Sequence, residues 1–500
     1  MANYGSGMAV VVSIDAGTTG VRAFAVGRDG TPLLSAYREF PQYFPRPGWV
    51  EHDPEEIWRA VEGTLTEVAE ALYQPVVAIG ITDQRETVVA WDARTGDPLH
   101  RAIVWQDRRT AEVCDDLAAE GHLDLVRART GLVLDPYFSG TKMAWLLGPG
   151  GVDGGPHLRF GTIDSWLIHR LTGGRVHATD TTNASRTMLF DIDTLSWSDE
   201  LCELLGVPLE SLPEVRPSSG RFGVTSPACP LGAGIPISGV AGDQQAALFG
   251  QACLSPGMTK NTYGTGSFVL MNVGQTPPDP VDGLLTTIAW TLGDGTTTYA
   301  LEGAIFVTGA AIQWLRDGLG IIADAAETGP LAGSVPDTGG VYFVPALTGL
   351  GSPWWDPYAR GTVLGITRGT SRAHLARATV ESMAYQTRDV VTAMERAGGV
   401  AVTSLRVDGG ASVMDLLLQF QADQLGVEVS RPRFTDTTAL GSAFLAGLAE
   451  GFWDSLDDVA SAWQLDTTYT PEMDPTVADL GHAGWLRAVE RSRGWAHPAH

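Results

Sequence analysis

The pattern of hydrophobic and polar positions opens with two short apolar runs on either side of a Gly/Thr turn. Residues 10–14 form a β-branched run that ends in Asp15, and residues 21–26 alternate with period two. This pattern predicts a strand-turn-strand hairpin. A P-loop or a dinucleotide-binding loop would instead be followed by a helix. Any phosphate bound at this turn would therefore contact the backbone and the hydroxyls of the turn itself.

The same pattern returns near the middle of the chain. Residues 260–271 comprise a strand, the turn Gly264-Thr265-Gly266 and a second strand. Such an internal echo predicts two related domains that each present a hairpin turn to a shared cleft. Because 500 residues exceed what one hydrophobic core usually organises, we expect residues 1–252 and 253–500 to form these two domains.

The rest of the chain alternates between strand-like and helix-like segments, which predicts an α/β fold. Asp53 is expected to cap a helix that begins at Pro54. Ser412 and Asp415 fit a capping box for a helix that ends near Leu425. Further strands are predicted at residues 33–40, 76–82, 88–91, 235–241, 299–306 and 341–345, and further helices at residues 310–319 and 374–393.

Composition and charge exclude several classes of partner. A formal net charge of −25 at pH 7 would repel nucleic-acid backbones and anionic membranes. No apolar run approaches the roughly 18 to 20 residues of a membrane span, and no secretory signal pattern opens the sequence. The four cysteines are widely spaced, which argues against a zinc site and a disulfide framework. We therefore expect a cytoplasmic protein without stable membrane insertion.

Polar side chains gather at the predicted ends of several strands. Asp15, followed by the hydroxyls of Thr18-Thr19, is suited to hold a metal ion beside bound phosphates. The pairs Arg85-Glu86 and Asp243-Gln244 each follow another strand, where α/β proteins commonly bind ligands. Each feature also has a purely structural interpretation, because Gly-containing turns and charged hairpin tips are common on protein surfaces.

Several longer motifs occur in a fixed order along the chain. The most specific are residues 48–54, 79–87, 135–142, 183–190, 239–250 and 354–361. Together with the two Gly-Thr turns and the turn Gly409-Gly410-Ala411, they resemble the FGGY family of carbohydrate kinases, and within it the members that phosphorylate glycerol. The resemblance runs from about Val10 to Trp495. It implies two related domains of the actin/hexokinase-like (ribonuclease H-like) fold, with ATP and substrate bound in the cleft between them.

The resemblance also implies which residues hold glycerol. Asp243 is the expected general base, which would accept the proton of a primary hydroxyl as its oxygen attacks the γ-phosphoryl group of ATP. The expected product is sn-glycerol 3-phosphate. The glycerol-binding positions of the family correspond to Arg85, Glu86, Trp105, Tyr137, Asp243, Gln244 and Phe268.

A second set of positions corresponds to the nucleotide site of the family. Mg²⁺ held through Asp15 would neutralise charge on the ATP phosphates. The phosphate-side positions are Thr18, Thr19, Gly20, Arg22 and Thr265, and the adenosine-side positions are Gly309, Gln313, Gly410 and Met414.

The chain departs from the family pattern at a few of these positions. Ala16, Gly20 and Val21 replace polar residues that are common in the first turn of the glycerol-phosphorylating members, and Met414 stands where the family commonly has Asn. Backbone donors remain at the turn, so we expect function with altered nucleotide affinity, and the thioether can still pack on a purine. The family's tendency to associate implies a homodimer or homotetramer.

Two other functions fit parts of the same pattern. A kinase of another polyol or a ketose would share the Gly-Thr turns and Asp243, but would differ around Arg85-Glu86 and the aromatic residues. A nucleotide-switched chaperone or filament protein would keep the phosphate turns without a polyol pocket. The ligand that stimulates ADP release separates these functions.

Some bacterial members of the family bind fructose 1,6-bisphosphate through a Gly-x-Arg loop, which corresponds here to Gly232-Ala233-Gly234. Because this loop offers no cation to a phosphate, we expect weak or no inhibition by that sugar phosphate. A steady-state assay over a range of inhibitor concentrations checks this. Inhibition at micromolar concentrations would contradict the prediction.

Overall fold

The computed structural model describes residues 9–497, so the outermost residues of the predicted domains lie outside the described part of the chain. Each half of the chain is built around one large sheet with helices on its faces. Within residues 9–497, no helix combines the length and the apolar character needed to cross a membrane.

The N-terminal half contains fourteen strands and eight α-helices among the described residues. The strands are β1 (Val10–Ala16), β2 (Gly20–Val26), β3 (Pro32–Glu39), β4 (Glu51–His52), β5 (Val76–Asp83), β6 (Val89–Asp92), β7 (Ala102–Ile103), β8 (Leu158–Gly161), β9 (Ala178–Asp180), β10 (Phe190–Asp191), β11 (Ser196–Trp197), β12 (Glu214–Arg216), β13 (Ser219–Val224) and β14 (Pro236–Gly242). The helices are α1 (Pro54–Ala71), α2 (Ala111–Ala119), α3 (Leu123–Thr130), α4 (Ser139–Leu147), α5 (Ile163–Leu171), α6 (Thr181–Ala184), α7 (Asp199–Leu205) and α8 (Asp243–Gly250).

The C-terminal half continues with nine strands and seven α-helices in the described range. The strands are β15 (Met258–Tyr263), β16 (Ser267–Gly274), β17 (Leu285–Thr291), β18 (Thr297–Ile305), β19 (Tyr342–Val344), β20 (Thr362–Leu364), β21 (Ser404–Gly409), β22 (Val429–Pro432) and β23 (Leu465–Tyr469). The helices are α9 (Gly309–Gln313), α10 (Thr328–Gly333), α11 (Arg372–Gly398), α12 (Asp415–Leu425), α13 (Thr437–Ala449), α14 (Leu456–Ala462) and α15 (Pro475–Ser492).

The first sheet brings the ends of three strands to one edge. Its strand order is β13-β14-β5-β1-β2-β3, with β1 and β14 both parallel to β5. In the register, Asp83 at the end of β5 lies opposite Ala16 on one side and Gly242 on the other. Parallel strands end at the same edge, so the residues that follow β1, β5 and β14 are neighbours in space.

The second sheet repeats the arrangement of the first. Its order is β17-β18-β16-β15-β21-β22-β23, in which β15 is antiparallel to β16 and parallel to β21. The same relation joins β1 to β2 and to β5 in the first sheet. The hairpin repeat predicted from the sequence is thus confirmed, and with it a fold of two related α/β domains. The exact boundary at residue 252 stays a prediction.

Of the two predicted helix starts, one is confirmed and one is wrong. Asp53 caps α1 as expected, and its side chain accepts a hydrogen bond from the amide of Glu55 at 2.9 Å. The capping box at Ser412 is wrong, because residues 410–413 wind into a 3-10 turn and Met414 precedes α12 without a side-chain cap. The Asp415 carboxylate instead accepts a hydrogen bond from the Tyr469 hydroxyl at 2.5 Å.

Helix α13 of the C-terminal half covers one face of the first sheet. Its buried residues, among them Phe444, form one hydrophobic cluster with Val11 of β1 and Phe249 of α8. The hydroxyls of Ser13 and Ser442 share a hydrogen bond of 2.7 Å at this contact. The opposite face of the sheet packs on α1 and α5. The core of the N-terminal half therefore includes a segment that lies almost two hundred residues later in the chain.

Glycines allow α13 to approach this closely. A Cβ atom added at Gly441 would overlap the Ala246 carbonyl, and one added at Gly80 would overlap the Ser442 carbonyl. Glycine is needed at these positions for space and not for a left-handed backbone, because neither residue has a positive φ.

We expect Gly441→Ala to lower the free energy of unfolding by about 1–3 kcal/mol, because overpacking outweighs the better helix propensity of alanine. The fall in apparent melting temperature measures the effect. Gly333→Ala is the matched control, since a Cβ at this helix residue meets no atom within 4 Å. Equal melting temperatures for the two variants would contradict the close contact of α13 with α8.

Candidate active site

Four charged side chains meet where β1 ends. Asp15 is partly buried, and burial together with the nearby carboxylate of Asp243 raises its pKa to about 7. The charge of Arg22 lowers the pKa of Asp15, whereas the carboxylate of Asp436 raises it further. A carboxylate whose pKa is raised by burial and by neighbouring negative charge favours a bound cation.

The first Gly-Thr turn is short and tied to its surroundings. The amide of Gly17 donates to the carbonyl of Gly20 at 3.0 Å, which closes the turn. The Oγ1 atom of Thr18 accepts a hydrogen bond of 3.0 Å from the indole of Trp105, whereas Thr19 is exposed. A Cβ at Gly20 would overlap the ring of Tyr37. The predicted phosphate turn and a predicted glycerol-binding residue are therefore in direct contact.

Arg22 forms an ion pair with a residue of the C-terminal half. Its Nη1 atom lies 2.5 Å from the Asp436 carboxylate, next to the start of α13. Its guanidinium also lies over the Tyr37 ring, 5.1 Å from the ring centre. Both side chains of the ion pair are more than a third exposed, so a phosphate could compete for the guanidinium.

Arg85 is the centre of a buried charged cluster. Its Nε atom lies 3.2 Å from Asp243 Oδ1, and Nη2 donates to the Tyr137 hydroxyl at 3.3 Å. Its two terminal nitrogens donate to both carboxylate oxygens of Glu302, at 2.5 and 3.1 Å. Arg85 and Glu302 are both almost fully buried, at 2% and 1% exposure. The guanidinium therefore has one fixed orientation toward the cleft.

Glu86 belongs to the same cluster through a second arginine. Its Oε1 atom accepts a hydrogen bond of 2.7 Å from Arg186 Nε, and Arg186 Nη2 donates to Glu302 at 3.0 Å. Burial alone would raise the pKa of Glu302, but the two arginines lower it to about 2. Glu86 has a φ of 63°, a left-handed conformation that costs a non-glycine residue free energy. The surrounding ion pairs hold it in that conformation.

Aromatic side chains form the walls beside these charges. The rings of Trp105 and Tyr137 lie edge to face at 5.6 Å, and the Phe268 ring centre lies 6.0 Å from the Arg85 guanidinium carbon. Lys142 is fully buried, and its Nζ donates to three carbonyls of residues 136–138 at 2.6, 2.6 and 3.1 Å. The loop that presents Tyr137 is thereby fixed, and the site pairs charged groups with apolar surface, as small-molecule sites commonly do.

Helix α8 presents the last two residues of the predicted glycerol site. Asp243 is its first residue, and its carboxylate accepts a hydrogen bond of 2.7 Å from the Gln244 amide. The side chain of Asp243 is 32% exposed, in contrast to the buried members of the cluster. The Gln244 side chain accepts a hydrogen bond from Lys260 of β15.

The residues predicted for the nucleotide lie on turns of the C-terminal half. The amide of Gly309 donates to the Gly264 carbonyl at 3.0 Å, so the second Gly-Thr turn, with its exposed Thr265, rests on the start of α9. A Cβ at Gly309 would approach the Gly264 carbonyl to 2.5 Å. Gln313 is an exposed residue at the end of α9.

The remaining adenosine-side positions lie before α12. Gly410 is exposed and begins the 3-10 turn that follows β21. Met414 is half-buried and packs beside Gly329 of α10. A Cβ atom added at Gly329 would lie 3.6 Å from Met414 Cγ. The residues predicted for the nucleotide therefore lie on turns and helix starts, without the dense ion pairing found among the residues predicted for glycerol.

Sequence reasoning missed three charged residues of the site. Arg186 lies within a motif of the family resemblance but was given no role, and the same is true of Lys260 in the second hairpin. Glu302 lies in the run Ala300-Leu301-Glu302-Gly303-Ala304, where an acid inside an apolar strand is itself a signal. A buried acid of this kind requires a cationic partner.

Two sequence profiles match the chain. The profile described as the FGGY family of carbohydrate kinases, N-terminal domain, matches residues 10–250, and the corresponding C-terminal domain matches residues 259–450. A curated relative named glycerol kinase, from Symbiobacterium thermophilum, is 57% identical over 494 residues, covering 97% of this chain and 99% of the relative. Glycerol kinase 2 of Thermotoga maritima is 55% identical, covering 98% and 99%.

Solved structures resemble the whole chain. The crystal structure of Plasmodium falciparum glycerol kinase with ADP has a TM-score of 0.92 at 36% sequence identity, covering 97% of this chain and 98% of that protein. Gluconate kinase from Lactobacillus acidophilus has a TM-score of 0.87 at 21% identity, which reflects a shared fold.

Glu302→Gln should lower the free energy of unfolding at neutral pH by about 3–5 kcal/mol, because it leaves two buried guanidinium groups with one carboxylate fewer. Because the pKa of Glu302 is lowered, its ionised carboxylate stabilises the fold at pH values above 4.5, the ordinary pKa of the group. This contribution is lost as the pH falls toward about 2. The difference in melting temperature from the wild type should therefore shrink with acidification.

Glu67→Gln is the matched control for this variant. Glu67 also pairs with an arginine, Arg38, but both side chains are nearly half exposed. We expect its effect on the free energy of unfolding to stay within about 0–1 kcal/mol. A Glu302→Gln protein as stable as the Glu67→Gln protein would show that the buried cluster does not require Glu302.

Proposed function

The chain belongs to the FGGY family of carbohydrate kinases, and from this premise we propose that it transfers the γ-phosphoryl group of ATP to glycerol. Relatives named glycerol kinase are 53–57% identical to it over nearly their full length. The geometric observation that carries the proposal is the position of Asp243. Its carboxylate reaches the cleft, while the cationic Arg85 beside it is held in place by buried partners.

In this mechanism the polyol binds between the charged cluster and the aromatic walls. Arg85 donates to hydroxyl oxygens, Glu86 accepts from hydroxyl groups, and Trp105 and Phe268 cover the C–H face of glycerol. Asp243 accepts the proton of the attacking primary hydroxyl as the oxygen–phosphorus bond forms and ADP leaves. The product is sn-glycerol 3-phosphate.

The two Gly-Thr turns hold the phosphates on the opposite side of the cleft. Backbone amides and the hydroxyls of Thr18, Thr19 and Thr265 donate to phosphate oxygens, and Arg22 exchanges Asp436 for a phosphate. The adenosine lies against the turns at Gly309 and Gly410. This assignment is supported by the positions that these residues share with the family.

The residues around Asp15 fit a magnesium ion. Burial and the nearby carboxylate of Asp243 raise the pKa of Asp15, and a divalent cation would offset both effects by stabilising the ionised carboxylate. Among residues 9–497 there is no cluster of three or more His, Cys, Asp or Glu residues suited to hold a metal by themselves. The ion would therefore share its ligands between Asp15, water and the ATP phosphates, where its charge stabilises the transferring phosphoryl group.

Positioning and exclusion of water provide most of the catalysis in phosphoryl transfer. The ligands of glycerol lie mainly in the N-terminal half, whereas those of adenosine lie in the C-terminal half. Binding of both substrates would draw the halves together, which orders the reacting atoms and limits hydrolysis of ATP by water.

The four buried thiols and the use of ATP fit the cytoplasm, and a homodimer or homotetramer stays a prediction.

Purified protein mixed with ATP and Mg²⁺ should release ADP rapidly only after glycerol is added, because the hydroxyl that attacks comes from the polyol. A coupled assay that follows ADP measures the rate. Pentuloses and other polyols, added at the same concentration, are the matched controls. Faster ADP release with a pentulose or with a protein client would refute the assignment of glycerol as the substrate.

Asp243→Asn should lower kcat by about 10²- to 10⁴-fold while glycerol still binds, because the amide cannot accept the proton but keeps the size and hydrogen bonds of the side chain. Steady-state rates and the change in tryptophan fluorescence on glycerol binding measure the two effects. If kcat is unchanged in the variant, Asp243 is not the general base.

A further inference from the structure

Lys260 is a buried cation that the mechanism above does not use. It is fully buried in the middle of β15. Taking an ammonium group out of water is costly unless it is hydrogen-bonded and paired with opposite charge. Its Nζ donates to two oxygens, Oε1 of Gln244 and, at 3.0 Å, Oγ1 of Thr262. The lysine therefore reaches from the second sheet to the helix that presents Asp243.

The contact with Lys260 determines how the Gln244 amide is oriented. An ammonium group has donors only, so the atom of the amide that faces it must be the oxygen. The amide nitrogen, Nε2, then points away from Lys260, and within residues 9–497 it donates to no protein acceptor. Lys260 thereby leaves the side-chain donor of Gln244 free, on the residue that directly follows Asp243 at the start of α8.

A donor beside a carboxylate can select one orientation of a hydroxyl group. A hydroxyl offers one hydrogen and two lone pairs. If its oxygen accepts from Gln244 Nε2, its hydrogen is free to point to Asp243. This is the orientation that general-base catalysis at Asp243 requires.

Several charged and titratable groups face Lys260. Burial lowers its pKa to about 8, and the neighbouring carboxylates act against that shift. The groups around it are Asp243 of α8, Arg85 after β5, Glu302 of β18, Asp408 and Arg406 of β21, and Cys253 before β15. The charge of Lys260 is therefore present at neutral pH and decreases as the pH rises through about 8.

We infer that Lys260 is a positioning residue for the phosphorylation of glycerol: it holds the Gln244 amide so that Nε2 donates to the hydroxyl whose proton Asp243 accepts. The inference rests on the proposed function. It assigns to Lys260 a role in the reaction without contact to substrate, exerted through Gln244.

A double-mutant cycle tests the coupling. Lys260→Met and Gln244→Ala should each lower kcat/KM for glycerol by about 10-fold or more, the effect of losing a charge-assisted hydrogen bond. The double variant should be no more than about twofold worse than the more impaired single variant, because both changes remove the same hydrogen bond to glycerol. Losses that multiply would overturn the inference.

The pH dependence gives a second readout that a purely structural role would not change. In the wild type, kcat/KM should fall severalfold between pH 7 and about 9.5, as Lys260 loses its charge. Lys260→Arg stays charged in this range, so its kcat/KM should not fall. The kcat/KM of Lys260→Met should also be independent of pH in this range. The same alkaline fall in both variants would overturn the assignment.

Gln244→Glu keeps an oxygen that can accept the hydrogen bond from Lys260, but it has no amide donor for the substrate. This variant therefore tests the inference even if Lys260→Met does not fold. We expect kcat/KM to fall about 10-fold or more while the melting temperature stays at or above that of the wild type. Full activity of this variant would overturn the inference. A wild type that does not phosphorylate glycerol would instead refute the proposed function, and this inference with it.

Discussion

Arg85 and Glu302 meet between the two halves of the chain, in a region where neither charge could remain unpaired without a large cost. Glu302 accepts one hydrogen bond from each terminal nitrogen of Arg85. Gln245 and Tyr137 accept from the same two nitrogens, so only Nε is left for Asp243. A bidentate contact between Arg85 and Asp243 would hold the carboxylate away from substrate. Glu302 of the second sheet thus keeps Asp243, the proposed general base, available to substrate, and the charged cluster is complete only when both halves are folded together.

The two sides of the cleft differ in how they are built. The glycerol side consists of buried ion pairs, a lysine that binds three carbonyls and aromatic rings in contact, so its shape exists before the substrate arrives. The predicted phosphate side consists of two short turns that are closed by their own backbone hydrogen bonds and carry exposed threonines. If phosphates bind there mainly through the backbone, as proposed, Gly20 and Val21 can replace polar residues without removing the site.

Much of this arrangement was predictable from the sequence, and the limits have physical reasons. The hairpins at both Gly-Thr turns and the cap at Asp53 follow from local patterns, and motifs indicated Tyr137, Asp243 and Phe268, which lie beside Arg85. The partners Glu302 and Arg186 are distant in sequence, and no local pattern states which buried charges will meet. The start of α12 was wrong by a few residues because a 3-10 turn and a capping box use the same residue types. At position 20 a side chain would overlap the Tyr37 ring, which is a contact that no local pattern shows.

The contact of α13 with the first sheet has a consequence for synthesis on the ribosome. All strands of that sheet are made by Gly242, yet the helix that covers one of its faces begins at Thr437. At about 5–20 residues per second, the intervening segment takes roughly 10–40 s to synthesise. During that time an apolar face that includes Val11 and Ala78 has no permanent cover. The nascent N-terminal half therefore exposes apolar surface during that time, and its final folding step belongs to the last part of translation.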